Sequence, residues 1–339
     1  MQPVSSQEVL TKEFSRYVAL ADVPVTGRVR VGEDFQIYPV PVGSPTTNYI
    51  DGTYPFVIEI AYLATNQPLR NEQGHILVEP WVINQQRAFE RLTEVLITLT
   101  GLTLYRLHYP KPKGAWYLPL HDREPGKLPM PQWGQQGYLH PDIGPRIENF
   151  THVDGEPIPL VAPDKYFNVF GRPIDQVLEL PADLEIKLAY ADALPPKARQ
   201  AFLSSCSLFD QGLEFWQHHP SLSYASFVSS IEALIEYDYR KVKRNRCPQC
   251  GEVKHGVTQK FRDFCQKYCP NPTDLEPVLG KIYSYRSKIL HAGKLMLGDL
   301  ILPRVGTWDN EEERGTHRAL IRISRTSLGN WLLTHGKAR

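Results

Sequence analysis

Two stretches near the start of the chain alternate apolar and polar positions. Gly27 to Val40 and Phe56 to Tyr62 are rich in β-branched and aromatic residues and predict half-buried strands. The period changes at Val82 to Thr100, where Ile83, Phe89, Leu92, Leu96 and Leu99 recur at steps of three and four. That spacing predicts a helix, with Gly101 as its C-terminal stop. From Tyr109 to Pro163 prolines and glycines are dense, which predicts a long loop region, either functional or partly disordered.

Proline usage divides the chain in two. Of 29 prolines, 23 lie at or before Pro196, and proline breaks helix interiors. After Pro195-Pro196, five helices are predicted. They run from about Lys197 to His218, from Pro220 with Ser221 or Ser223 as N-cap, and near Thr258 to Cys269. The last two run from about Leu275 to Ala292, stopped by Gly293, and onward from Glu311-Glu312-Glu313. The second carries an apolar stripe of Phe227, Val228, Ile231, Leu234 and Ile235. Short connections argue for an antiparallel bundle. The expected architecture is an α+β domain over 1–194 followed by an all-α domain over 195–339.

Composition narrows the class. A 339-residue chain with 42% hydrophobic residues can bury two cores. No run approaches the roughly 18 apolar residues of a spanning helix, so no membrane partner is expected. Glu8, Lys12, Glu13 and Arg16 interrupt the first twenty residues, unlike the apolar centre of a secretory signal. Five cysteines, four of them between 247 and 269, suit thiol ligands in a reducing, cytoplasmic setting. The net charge of +1 hides an asymmetry: residues 1–190 hold 16 basic and 22 acidic side chains, residues 191–339 hold 22 and 15. A polyanionic partner would meet the second half.

The fourth predicted helix carries Tyr285-Arg286-Ser287-Lys288-Ile289-Leu290-His291-Ala292-Gly293. A histidine can take a proton from a ribose 2′-hydroxyl or give one to a leaving 5′-oxygen. An arginine can hold the scissile phosphate and offset charge that grows on it. RNA carries its own nucleophile, so this chemistry needs no metal. Spacing alone is a weak signal, because positions five apart on a straight helix point about 140° away from each other. Fraying at Gly293, or completion across a dimer, would be needed to bring the two groups together. Glu232 and Glu236 on the second helix are candidates to orient the histidine or pair with Arg286, although such glutamates more often face solvent.

Three segments together carry a family resemblance: Tyr285 to Gly293, Phe227-Val-Ser-Ser-Ile-Glu-Ala-Leu-Ile-Glu236, and Cys247-Pro-Gln-Cys-Gly251. The combination resembles the ApeA-like branch of the HEPN superfamily over roughly residues 197–336. The resemblance implies a helical HEPN bundle with a zinc-knuckle insertion at 245–270, and Arg286 and His291 as catalytic residues at a homodimer interface. It also implies an endoribonuclease acting in antiviral defence, abortive infection or as a toxin. Such an effector would cleave tRNA or mRNA to 2′,3′-cyclic phosphate and 5′-hydroxyl ends, under control of a defence partner or antitoxin. Ser287 stands where many active members carry Asn, Asp or His.

Cys247-x2-Cys250 with Cys265-x3-Cys269 has the spacing of a structural Zn2+ site. Alternatively Cys265 continues the apolar Phe261, Phe264 stripe as a core residue, and His255 is a ligand. Arg244 and Arg246, from the basic run that begins at Arg240, and Lys288 and Lys294 beside the motif are candidate RNA-backbone contacts. Two further functions fit the same residues: an inactive scaffold subunit of a defence complex, and a zinc-dependent nucleic-acid-binding regulator. No catalytic motif falls in 1–194, whose Trp81, Trp116 and Trp133 fit a recognition surface or, more commonly for such residues, core or loop packing.

Overall fold

The computed structural model describes residues 10–41, 53–109, 146–167, 176–216, 218–240, 256–269, 276–300 and 311–337. The chain divides into two compact units, one of residues 1–96 and 107–181, the other of residues 97–106 and 182–339. No helix among the described residues is long and apolar enough to cross a membrane.

The first unit is built on a six-stranded sheet. Strand β1 (Leu10–Ala21) carries β2 (Val29–Val31), β3 (Phe35–Pro39) and β4 (Tyr54–Thr65) on one side, in the order β2-β3-β4-β1. The run Gly27 to Val40 is thus a hairpin, and its turn uses Gly32 at φ +50°, a backbone region favourable to glycine. β4 is the central strand, antiparallel to β1 from Leu10↔Thr65 to Ala21↔Tyr54 and to β3 from Phe35↔Ile60 to Pro39↔Phe56. Phe56, Val57, Ile58 and Ile60 are fully buried, so β4 is covered on both faces rather than half-buried.

Beyond β4 lie β5 (Leu69–Arg70) and β6 (Ile76–Val78), a separate two-stranded ribbon, and then α1 (Pro80–Leu102). Two short strands, β7 (Leu107–His108) and β8 (Arg146–Ile147), both lie antiparallel to β1 on the edge that β4 leaves open. β7 pairs with Leu20 and Ala21, and β8 with Phe14 and Ser15. β9 (Leu160–Val161), α2 (Pro163–Tyr166) and β10 (Leu180–Pro181) complete the unit, with β9 and β10 parallel.

One charge interrupts the apolar run of β4. Glu59 is completely buried, with Arg16 of β1 opposite it on one side and Gln36 of β3 opposite on the other. Its carboxylate accepts from Arg16 Nε (2.7 Å), Gln36 Nε2 (2.6 Å), Tyr38 OH (2.7 Å), Thr151 N–H (2.9 Å) and Thr151 Oγ1 (2.6 Å). Arg16 also donates to the Thr151 hydroxyl. Burial raises the Glu59 carboxyl, but the bonds from Thr151, Tyr38 and Arg16 outweigh it and leave the group below its ordinary 4.5.

The second unit is helical: α3 (Leu184–Asp192), α4 (Pro196–Phe215), α5 (Pro220–Tyr239), α6 (Val257–Tyr268), α7 (Glu276–Ala292), α8 (Leu297–Leu300) and α9 (Glu311–His335). It begins ahead of Pro195 because α3 packs on α9. It also takes in the last turns of α1. Gly101 therefore does not stop α1 at Thr100, since the helix runs on to Leu102. The missing side chain instead admits neighbours, for a Cβ there would lie 3.1 Å from Cys206 Sγ and 3.4 Å from Leu328.

α4 and α5 form a hairpin in which Ser205 meets Ser230 (2.9 Å) and Phe209 meets Phe227. A Cβ at Gly212 would stand 2.6 Å from the Phe227 ring, so glycine there sets how closely the two helices approach. Neither Ser221 nor Ser223 is the N-cap of α5. Pro220 opens the helix, the Ser221 N–H donates to Asp299 Oδ2 of α8 (2.9 Å), and the Ser223 hydroxyl donates to the Gly212 carbonyl (2.7 Å).

α9 is the central helix, in contact with α3, α4, α5, α6 and α7. It buries Leu320, Ile323, Leu328, Trp331 and Leu332. Asp238, near the end of α5, accepts from Trp331 Nε1 (3.0 Å) and Tyr268 OH (2.8 Å) and pairs with His335 Nε2 (3.1 Å), tying the ends of three helices together. His317 is fully buried among Trp216, Tyr224 and Phe227, with Nε2 3.0 Å from Ser223 Oγ, and burial pushes its pKa down to about 3.

Two consequences can be measured. Glu59→Ala leaves the half-buried Arg16 without its counter-charge and is expected to cost the first unit about 3 kcal/mol in urea unfolding. A loss within about 1 kcal/mol would place the network among weak surface pairs. His317 stays neutral when folded but takes up a proton on unfolding below its ordinary 6.5. The second unit should therefore lose stability as pH falls from 6.5 towards about 3. His317→Phe should flatten that dependence, and an unchanged slope would assign it to other groups.

Candidate active site

α7 is laid down by a stripe of Leu279, Ile282 and Ile289, all buried. The same spacing of three and four runs through position 286, so Arg286 occupies a core-facing place between Ile282 and Ile289. The helix it faces is α5, whose Tyr224 hydroxyl donates to the Ile282 carbonyl (3.2 Å). Glu232 stands on the packed side of α5, between Val228 and Ile235 of its apolar stripe. Two opposite charges placed on facing helices then meet: Arg286 Nη2 lies 3.3 Å from each Glu232 oxygen. Arg286 keeps only 18% of its side chain exposed.

The other arm of the guanidinium reaches His291, with Nη1 2.9 Å from Nε2. The expectation that one helix could not bring these groups together is corrected. Their Cα positions do diverge by about 140° around the axis, but the long arginine side chain spans the difference. The helix also continues through both residues. Gly293 at φ +61° then ends it, and the Lys294 N–H turns back onto the Lys288 carbonyl (3.1 Å). A frayed helix or a second copy is not required for the contact.

A guanidinium can only donate, so His291 Nε2 accepts and the imidazole proton sits on Nδ1. The Arg286 carbon lies 5.6 Å from the centre of the Tyr283 ring, which itself packs on Phe261 of α6. Burial, with the Glu232 charge in second place, holds the Tyr283 hydroxyl above its ordinary 10.0 and so protonated. Ser287, Lys288 and His291 are exposed, and Lys288 and His291, three apart, are neighbours on the last turn. Lys288 Nζ is 5.4 Å from the Tyr285 ring centre. Lys294 is exposed directly after the helix.

Arg244, Arg246, Cys247, Cys250 and His255 lie outside the described residues, as do Trp116 and Trp133. Cys265 is fully buried with Phe261 and Phe264. Cys269 Sγ lies 3.2 Å from Ser327 Oγ and 3.8 Å from the Ile323 carbonyl, both on α9. Burial raises both thiols above their ordinary 9.0, the chemistry of core cysteines rather than of free thiolates. A zinc ion would reverse that balance by displacing the thiol protons.

Glu232 is the site residue that apolar periodicity alone passes over. A signal for it exists: a carboxylate bordering the buried stripe of one helix, and an arginine completing the stripe of another. Exposed Leu222, Leu290, Leu295 and Leu297 lie around the same end of the unit, where the Met296 N–H donates to Ser221 Oγ (2.7 Å). The chain matches no protein-family model, no curated protein and no solved structure.

Proposed function

We propose that the second unit is a metal-independent endoribonuclease of the HEPN type. The observation that carries it is the 2.9 Å contact between Arg286 Nη1 and His291 Nε2 at an exposed helix end, with the arginine backed by a carboxylate. An RNA phosphate has strong oxygen acceptors for Arg286 and would draw Nη1 from His291, freeing Nε2 as a base. Nε2 then takes the 2′-hydroxyl proton, the 2′-oxygen attacks phosphorus, and the 5′-oxygen leaves with a proton. The products are a 2′,3′-cyclic phosphate and a 5′-hydroxyl. Lys288 and Lys294, both exposed, would meet flanking phosphates.

A second copy docked on Leu222, Leu290, Leu295 and Leu297 would supply the second histidine, so that one imidazole takes a proton while the other gives one. Cysteine usage supports a cytoplasmic setting, and the sequence resemblance supports a defence effector or toxin under a partner's control. The first unit would then serve recognition. Structural zinc is proposed at Cys247 and Cys250, completed by Cys265 and Cys269 or by His255, and takes no part in cleavage.

Cleavage of labelled RNA by the purified protein tests the assignment. Arg286→Ala and His291→Ala are each expected to slow it by at least about 100-fold. EDTA in the assay buffer should leave the rate unchanged, and the product ends should be cyclic phosphate and 5′-hydroxyl. Equal rates in wild type and both variants would remove the motif from the chemistry. RNA binding without cleavage would make the bundle a scaffold. Zinc content is a separate measurement: Cys247→Ala should abolish it, and whichever of Cys269→Ala and His255→Ala also does so names the remaining ligand set. Metal-free wild-type protein would dismiss the zinc site.

A further inference from the structure

We infer that Glu232 is the positioning residue of the site. It holds the Arg286 guanidinium by one arm so that the other arm alone exchanges between His291 and the substrate phosphate. The inference rests on the ribonuclease reading of Arg286 and His291 and adds to it a third residue, on a different helix.

The geometry is that of an orienting contact. Both Glu232 oxygens lie 3.3 Å from the same nitrogen, Nη2, whereas a fully closed side-on pair would engage Nε as well. Arg286 Nε and Glu232 Oε1 are both buried and have no hydrogen-bond partner among the described residues. A buried ion pair that served packing alone would be expected to close this second bond, because unsatisfied buried donors and acceptors are costly. Here the pull of His291 on Nη1 draws the guanidinium the other way. When a phosphate takes Nη1, a small rotation about the Glu232 contact can bring Nε towards Oε1. Glu232 thus supplies both the pivot and the acceptor that compensates the movement.

The pivot is firmly held. Glu232 sits on α5, which packs against α4, α7 and α9, beside the buried Ile231 and Ile235. Its carboxylate contacts the Arg286 guanidinium, and its influence runs through that residue. It also bears on His291, because a guanidinium fixed by Glu232 fixes the imidazole in its Nδ1-protonated form.

The experiment compares wild type, Glu232→Gln, Glu232→Asp and Arg286→Ala in the full-length chain. Single-turnover and steady-state RNA cleavage are read alongside the 15N spectrum of His291. Glu232→Gln keeps the shape of the side chain and is expected to lower kcat by about 10- to 100-fold with KM unchanged or smaller, since misorientation rather than lost binding is the cause. Its His291 signals should move away from the Nδ1-protonated tautomer. Glu232→Asp should fall between wild type and Glu232→Gln in both readouts, and thermal unfolding is recorded for all four proteins so that each is assayed well below its own transition. Wild-type kcat in Glu232→Gln, or an unmoved His291 tautomer, overturns the positioning role while inactive Arg286→Ala leaves the ribonuclease reading intact. Cleavage by Arg286→Ala at the wild-type rate, or none by wild type, defeats that reading and the inference with it.

Discussion

The helical unit depends on the buried face of α9. Five other helices lie against it, and its Trp331 hands a hydrogen bond to Asp238, which also receives Tyr268 from α6 and pairs with His335. That arrangement determines where α5 and α7 run relative to each other. Because both helices are seated on α9, Glu232 and Arg286 are held at one separation, and the guanidinium is presented to His291 at the solvent-facing end. The close approach of α4 and α5 at Gly212 contributes to the same end, since it fixes the helix that carries Glu232.

The two units handle a buried carboxylate in opposite ways. Glu59 accepts five hydrogen bonds from four residues and has an arginine directly across the sheet. Nothing is left for a ligand, and its role is to lock β1, β3, β4 and the Thr151 segment together. Glu232 has an unsatisfied oxygen, and the arginine it faces divides its donors between two partners. Saturation marks structure and slack marks a site that changes partners. Charge and burial alone would not separate the two cases.

In the second unit α4, α5, α6, α7 and α9 are legible because their apolar residues recur at helical steps, with prolines at the starts of α4 and α5, whereas the short α3 and α8 are not. The first unit is less so. β1 escapes the pattern because Lys12, Glu13 and Arg16 break its apolar run, and each is accounted for only by a distant strand or loop: Glu33, Tyr62 and Glu59. Gly101 reads as a stop because glycine's local meaning is a helix end, whereas its use here comes from Cys206 and Leu328 packing across it. Arg286 and His291 are legible as a chemical pair but not as a contact, because helix angles describe Cα directions and not the reach of a long side chain. Glu232 requires knowing which helix faces which.

β7 and β8 lie in line on one edge of β1, five β1 positions apart between Leu20 and Ser15. At about 3.3 Å per residue, the two ends of the intervening segment are anchored only about 17 Å apart. The sheet fixes both anchor points. Doubling the length of a loop so anchored costs only about 0.6 kcal/mol of closure entropy. The sheet therefore works as a socket: with both anchor strands paired to β1, a change in the length of the connection need not alter the register of any strand.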